Sequence, residues 1–137
     1  MDRITVEKRS KNMSAIRSKD TEPEMRVRRL IHGMGYRYRL HSAKLPGCPD
    51  LVFANQKKVI LVNGCFWHQH DDPSCAIARL PKSHQDYWLS KLARNRERDR
   101  NRFEQLRELG WSILVLWECE IEGKADLKER INRFLSY

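Results

Sequence analysis

Asp50-Leu51-Val52-Phe53-Ala54-Asn55-Gln56-Lys57-Lys58-Val59-Ile60-Leu61-Val62 is the stretch that decides the fold. Apolar, β-branched and aromatic residues flank Asn55-Gln56-Lys57, a turn by composition, so the segment reads as two strands, 50–54 and 58–62, joined in a hairpin. The second strand is apolar at consecutive rather than alternate positions, the pattern of a central strand covered on both faces. Such a strand needs helices above and below it, and the flanking sequence supplies them.

Before the hairpin, Tyr36, Tyr38 and Leu40 alternate with Arg37 and Arg39, which predicts a half-exposed strand. Further upstream, Thr21-Glu22-Pro23-Glu24 fits a capping box with proline in the first turn, where its missing donor is harmless. Val27, Leu30, Ile31 and Met34 then make one buried stripe, and Gly33 and Gly35 end the helix. After the hairpin comes a Gly-, Cys- and His-rich loop from Asn63 to about Ser83. A long helix follows over His84–Leu109, with Trp88, Leu92, Phe103, Leu106 and Leu109 inward, then a strand over Trp111–Trp117 and an amphipathic helix over Ala125–Leu135. The order αβββαβα predicts an α/β fold with a mixed central sheet flanked by helices. Its last strand returns through the long helix as a right-handed parallel crossover. A chain of 137 residues predicts a single domain, 1–137, in which residues 1–19 form a basic N-terminal arm or short surface helix.

Charge narrows the partners. Lys and Arg number 27 against 18 Asp and Glu, a net charge of +9, which suits a polyanion whose condensed counterions are released on binding. The apolar runs at 59–62 and 113–117 fall far short of the roughly 20 residues that span a bilayer. MDRITVEKRS also lacks the apolar stretch of a secretory signal. The expectation is a soluble, cytoplasmic protein with no membrane partner. Arginines 94, 96, 98, 100 and 102 spread around the long helix because they fall on every second residue. They are either a solvated ladder paired with Glu97, Asp99 and Glu104, or contacts to phosphates.

The chemistry concentrates in Gly64-Cys65-Phe66-Trp67-His68-Gln69-His70-Asp71-Asp72-Pro73-Ser74-Cys75. Thiolates and imidazoles at this density, followed by Cys119 after a strand, are what tetrahedral zinc prefers; the alternative is buried free thiols and incidental loop histidines. Cys65, His70, Cys75 and Cys119 make the most economical closed set, pinning the loop to the end of the last strand. That leaves His68 free for proton transfer, since its ordinary pKa lies near physiological pH. Phe66 and Trp67 are either core residues or wedges for base pairs. Asp50 opens a strand beside the end of another, where a nuclease would hold magnesium, although Pro-Asp is also a common turn pair. Glu24 reads as half of the capping box.

RSKNMSAIRSKDTEPE (9–24), LPGCPD (45–50), NGCFWHQH (63–70), YWLSKLARN (87–95), LGW (109–111) and WEC (117–119) resemble the very-short-patch-repair (Vsr) DNA mismatch endonucleases over nearly the whole chain. The resemblance implies a restriction-endonuclease-like fold and a nick in duplex DNA 5′ of the thymine in a T·G mismatch. It implies magnesium on Asp50 and the backbone carbonyl of Val62, Glu24 acting through water, and His68 as the general base or water-positioning group. It places structural zinc on Cys65, His70, Cys75 and Cys119, and intercalation on Met13, Phe66, Trp67 and Trp88. The expected enzyme acts as a monomer, with mismatch-repair proteins as candidate partners. Asn63 stands where many members carry histidine, Cys48 replaces a basic residue, and the gap between His70 and Cys75 is wide for the family. Two other readings remain: a restriction-type or structure-selective nuclease of the same fold, and a zinc-stabilised DNA-binding module without catalysis.

Overall fold

The computed structural model describes residues 21–65, 68, 70, 75, 80, 82–123 and 126–136. Helix α1 (Glu22–Gly33) leads to β1 (Arg39–Leu40), β2 (Leu51–Phe53) and β3 (Lys58–Asn63); then come α2 (Gln85–Glu108), β4 (Ser112–Trp117), α3 (Glu118–Gly123) and α4 (Leu127–Leu135). The sheet runs β1-β2-β3-β4, antiparallel at its first two pairings and parallel between β3 and β4, so the expected mixed sheet with a helical crossover is present. Register pairs Ile60 with Leu51 and with Leu114, which places β3 between two covered neighbours.

The run of apolar residues on β3 is explained by two cores. Leu51, Phe53, Ile60 and Leu116 face α1, α3 and α4 through Val27, Ile31, Ile121, Leu127, Ile131 and Leu135. Their immediate neighbours Val52 and Val59 face the other way, onto Leu106 of α2. Successive side chains of a strand point to opposite faces, so only an apolar residue at every position satisfies both layers. Lys58 is the exception at the strand's start: buried, it donates from Nζ to the Phe134 carbonyl at 2.6 Å and so caps the end of α4.

Several sequence expectations need correction. Leu109 is 54% exposed, because α2 ends at Glu108 and Leu109 lies beyond its inward stripe; Phe103 is only half-buried, and Asn95 is buried instead. The strand expected over 36–40 pairs only through Arg39 and Leu40, and Leu40 lies exposed at the sheet edge. Tyr36 and Tyr38 do pack on the core from the approach to it. A short helix, α3, which the sequence did not suggest, follows β4 directly. The basic arm 1–19, including Met13, lies outside the described residues, as do Phe66 and Trp67.

Candidate active site and metal centre

Four elements converge on a carboxylate–imidazole centre at one end of the sheet. Thr21 caps α1 by accepting from the Glu24 amide at 3.4 Å, which fixes the first turn of the helix. The Glu24 carboxylate, however, is buried and turned to Arg28 one turn along and to His41 Nε2 at 2.8 Å, so it does more than cap. His41 follows β1 with φ +46, and its amide donates to the Asp50 carbonyl at 3.1 Å, which continues the β1–β2 ladder by one step. Asp50 precedes β2 and accepts from the Val62 amide of β3 at 2.7 Å. One donor atom from each of Glu24, His41 and Asp50 lies within 4.8 Å of the others, a set that can hold a metal ion.

The electrostatics of this centre would suit a cation. Burial pushes the Asp50 carboxyl up to about 7, the Glu24 charge adds to the rise, and the Val62 amide and Arg28 oppose it. Two carboxylates face one guanidinium, and each of the three side chains is partly or wholly withdrawn from water. A divalent cation would relieve that repulsion and hold Asp50 ionised. Val62 meets Asp50 through its amide.

His68 occupies a separate dyad. Its Nδ1 is hydrogen-bonded to Asp99 of α2, and both side chains are about four-fifths buried, exposed by 19% and 18%. The Trp117 ring meets the imidazole edge-on at 6.5 Å. An aspartate on Nδ1 fixes the tautomer and leaves Nε2 as the acceptor.

The sulfur cluster lies at the opposite chemical extreme. Cys65, His70, Cys75 and Cys119 each place a donor atom within 4.8 Å of the rest. His70 Nδ1 lies 3.4 Å from Cys119 Sγ and 3.8 Å from Cys65 Sγ. Zinc bonds of about 2.3 Å to sulfur and about 2.0–2.1 Å to nitrogen at a tetrahedral angle require about 3.5 Å, between the two observed values. Trp117 stacks on the His70 ring, 4.3 Å between centroids and 16° from parallel, and so aims Nδ1 at the sulfurs. The Cys119 amide donates to Cys65 Sγ, and the Cys65 amide to Glu118. Burial pushes the Cys65 and Cys119 thiols up, so only a bound cation would hold them as thiolates.

The site residues singled out in the sequence are thus distributed over three places. Glu24, Asp50 and Val62 meet in the first, His68 stands in the second, and the cysteines with His70 form the third. Trp88 is fully buried against Leu92 and half-buried Leu80, with Tyr87 across its face at 5.1 Å. Sequence reasoning missed His41 and Asp99. Strand register could have found His41, since Leu40 pairs with Leu51 and the next position on each strand is His41 opposite Asp50. Nothing local marks Asp99 among the alternating charges of α2.

The chain is similar to several known proteins. The family model described as DNA mismatch endonuclease Vsr matches residues 1–74. A protein of Xanthomonas oryzae pv. oryzae, "Type II nicking enzyme V.XorIIP", is 45% identical over 98% of this chain and 96% of its own length. "Type II nicking enzyme V.NmeAIP" of Neisseria meningitidis is 41% identical over 98% of this chain and 94% of its own. "DNA mismatch endonuclease Vsr" of Escherichia coli is 42% identical over 88% of this chain and 76% of its own.

Proposed function

Because the chain belongs to the Vsr family of DNA mismatch endonucleases, we propose that it nicks duplex DNA 5′ of the thymine in a T·G mismatch. As a member it is a DNA endonuclease, a hydrolase of phosphodiester bonds. The observation that carries the catalytic part of the reading is the convergence of Glu24, His41 and Asp50 from separate elements on one partly buried point.

Asp50, with the Val62 carbonyl and with Glu24 acting through water, would hold a divalent cation, magnesium by the family resemblance. When bound, that ion supplies positive charge to the scissile phosphate and makes an attacking water more acidic. His68 accepts the water's proton at Nε2 while Asp99 steadies the imidazolium from Nδ1. The water oxygen then attacks phosphorus as the bond to the leaving sugar oxygen breaks, and that oxygen takes a proton from solvent water to leave as a hydroxyl. Arg28 holds the Glu24 carboxylate in place by a hydrogen bond from its guanidinium.

Recognition falls to the loop between the sulfur ligands and to the arm. Structural zinc on Cys65, His70, Cys75 and Cys119 would stiffen the backbone that carries Phe66 and Trp67. Unstacking a base step costs a few kcal/mol, so a wedge works only from a rigid mount. Met13, on the arm 1–19 of the single domain 1–137, meets the DNA from the other groove. Trp88 joins the wedge only if it leaves its cluster with Leu92; in the free chain its indole fills that cluster. A T·G wobble pair deforms more readily than a Watson–Crick pair, which gives the wedge its selectivity. The net charge of +9 supplies phosphate affinity without sequence preference, and one chain acts per mismatch.

Nicking assays on matched, T·G and other mismatched duplexes test the reading. One strand of the T·G duplex should be cut 5′ of the thymine, in wild type and not in Asp50→Asn. Equal cutting of matched and mismatched duplexes would overturn the substrate, and cutting by Asp50→Asn would overturn the mechanism.

A further inference from the structure

His41 is not accounted for by the scheme above. Its imidazole, 12% exposed, lies between two carboxylates, with Nε2 at 2.8 Å from Glu24 Oε2 and 4.0 Å from Asp50 Oδ1. Donors about 2.1 Å from one ion lie about 3.0 Å apart at a right angle and about 4.2 Å apart on opposite sides. The two observed separations each lie within about 0.2 Å of those two values. The backbone is also committed: φ of +46 is a conformation that a histidine adopts at a cost, and the amide is locked to the Asp50 carbonyl. A histidine needed only to pair with Glu24 would not have to face Asp50 as well.

We propose that His41 Nε2 is a direct ligand of the divalent cation held by Asp50, which makes the centre a mixed nitrogen and oxygen site that binds manganese(II) more tightly than magnesium. This rests on the cleavage reading above and sharpens its metal. Magnesium keeps oxygen ligands and water by preference, whereas an imidazole nitrogen favours the later transition metals. The two carboxylates of Glu24 and Asp50 outnumber the one guanidinium of Arg28, whose Nη2 lies 3.4 Å from His41 Nε2, so the centre favours a cation over an anion. Histidine in place of a third oxygen donor therefore changes which ion wins without opening the site further.

The full chain, with its sulfur site loaded with zinc, is titrated with manganese(II) and observed by electron spin-echo spectroscopy. The wild-type spectrum should carry modulation from one imidazole nitrogen, which changes isotope pattern when the protein is grown with 15N-histidine. His41→Asn, whose asparagine tolerates the left-handed backbone, should lose the modulation and weaken manganese binding by about tenfold or more. His41→Gln gives the same reading if the asparagine variant does not fold. His68→Gln should keep the modulation. Manganese binding without nitrogen modulation in the wild type, or modulation that survives loss of His41, overturns the inference. Modulation that behaves as expected in a chain that cuts none of the duplexes upholds the ligand and removes the cleavage reading, so the two failures are separable.

Discussion

The sulfur cluster and the carboxylate–imidazole centre both gather donors around a point, and they do it in opposite ways. Cys65, His70 and Cys75 come from one stretch between β3 and α2 and Cys119 from the first turn of α3, giving four sulfur and imidazole donors, the number that tetrahedral zinc takes. Glu24, His41 and Asp50 come from α1, the end of β1 and the start of β2, and as harder donors, with Glu24 acting through water, they would leave positions open. A closed site can only hold the chain; an open one can also take water and a phosphate. On the proposed reading the first would serve stability and the second chemistry, a division that substitutions at either site can break.

The largest effect is expected at the sulfur site. Cys65→Ser, or removal of the metal by a chelator, should eliminate bound zinc and lower the melting temperature by about 10 °C or more, since structural zinc binding is folding free energy. Metal analysis and thermal melts check it. A Cys65→Ser protein with full zinc content and unchanged melting would mean that the cluster is not a metal site.

Asp50→Asn should do the reverse. A bound cation contributes several kcal/mol at a phosphate, and each ~1.4 kcal/mol is tenfold in rate, so nicking should fall by about three orders of magnitude. The melting temperature should not fall, because the substitution removes a buried charge. If melting drops as far as it does in Cys65→Ser, the centre is holding the fold and the division fails.

Asp99→Asn is expected to be milder. Losing the partner that orients a functional histidine typically costs about 10–100-fold, and here the loss should appear in kcat rather than in DNA affinity. An equal loss in binding to uncut duplex would make the His68–Asp99 pair a structural strut instead of a proton-transfer pair.

The same contrast explains what could be read from the sequence. Cys65, His70 and Cys75 fall within eleven positions, and soft donors are scarce enough that Cys119, though distant, stands out by type. The hairpin, the crossover and the two-sided burial of β3 were legible because apolar periodicity records which faces are covered. Asp50 was legible from its place at a strand start. His41 was not, because a single histidine after an arginine-rich strand carries no local signal; only the register of β1 on β2 brings it to Asp50. Asp99 was hidden because a helix with alternating charges looks solvated throughout, while its partner His68 sits on a loop far away in sequence. Leu109 was misplaced because its helical spacing extends the inward stripe one step past the end of α2.

The smallest effect tests the open site through its protons. The folded-state pKa of Asp50, about 7, stands above its ordinary 3.8, so between those values the folded chain binds a proton that the unfolded chain has released. The contribution of Asp50 to stability is therefore fully present below 3.8 and is lost as pH rises through about 7. A divalent cation reverses the direction, since it binds the ionised carboxylate and displaces that proton. Manganese(II) affinity should rise by about tenfold per pH unit up to about 7 and then level off, reflecting one proton exchanged per ion. Calorimetric titrations between about pH 5.5 and 8, with Asp50→Asn as the reference, isolate this group from the other acids. A flat profile would mean that Asp50 is already ionised without the ion, and that Arg28 rather than a cation balances the centre.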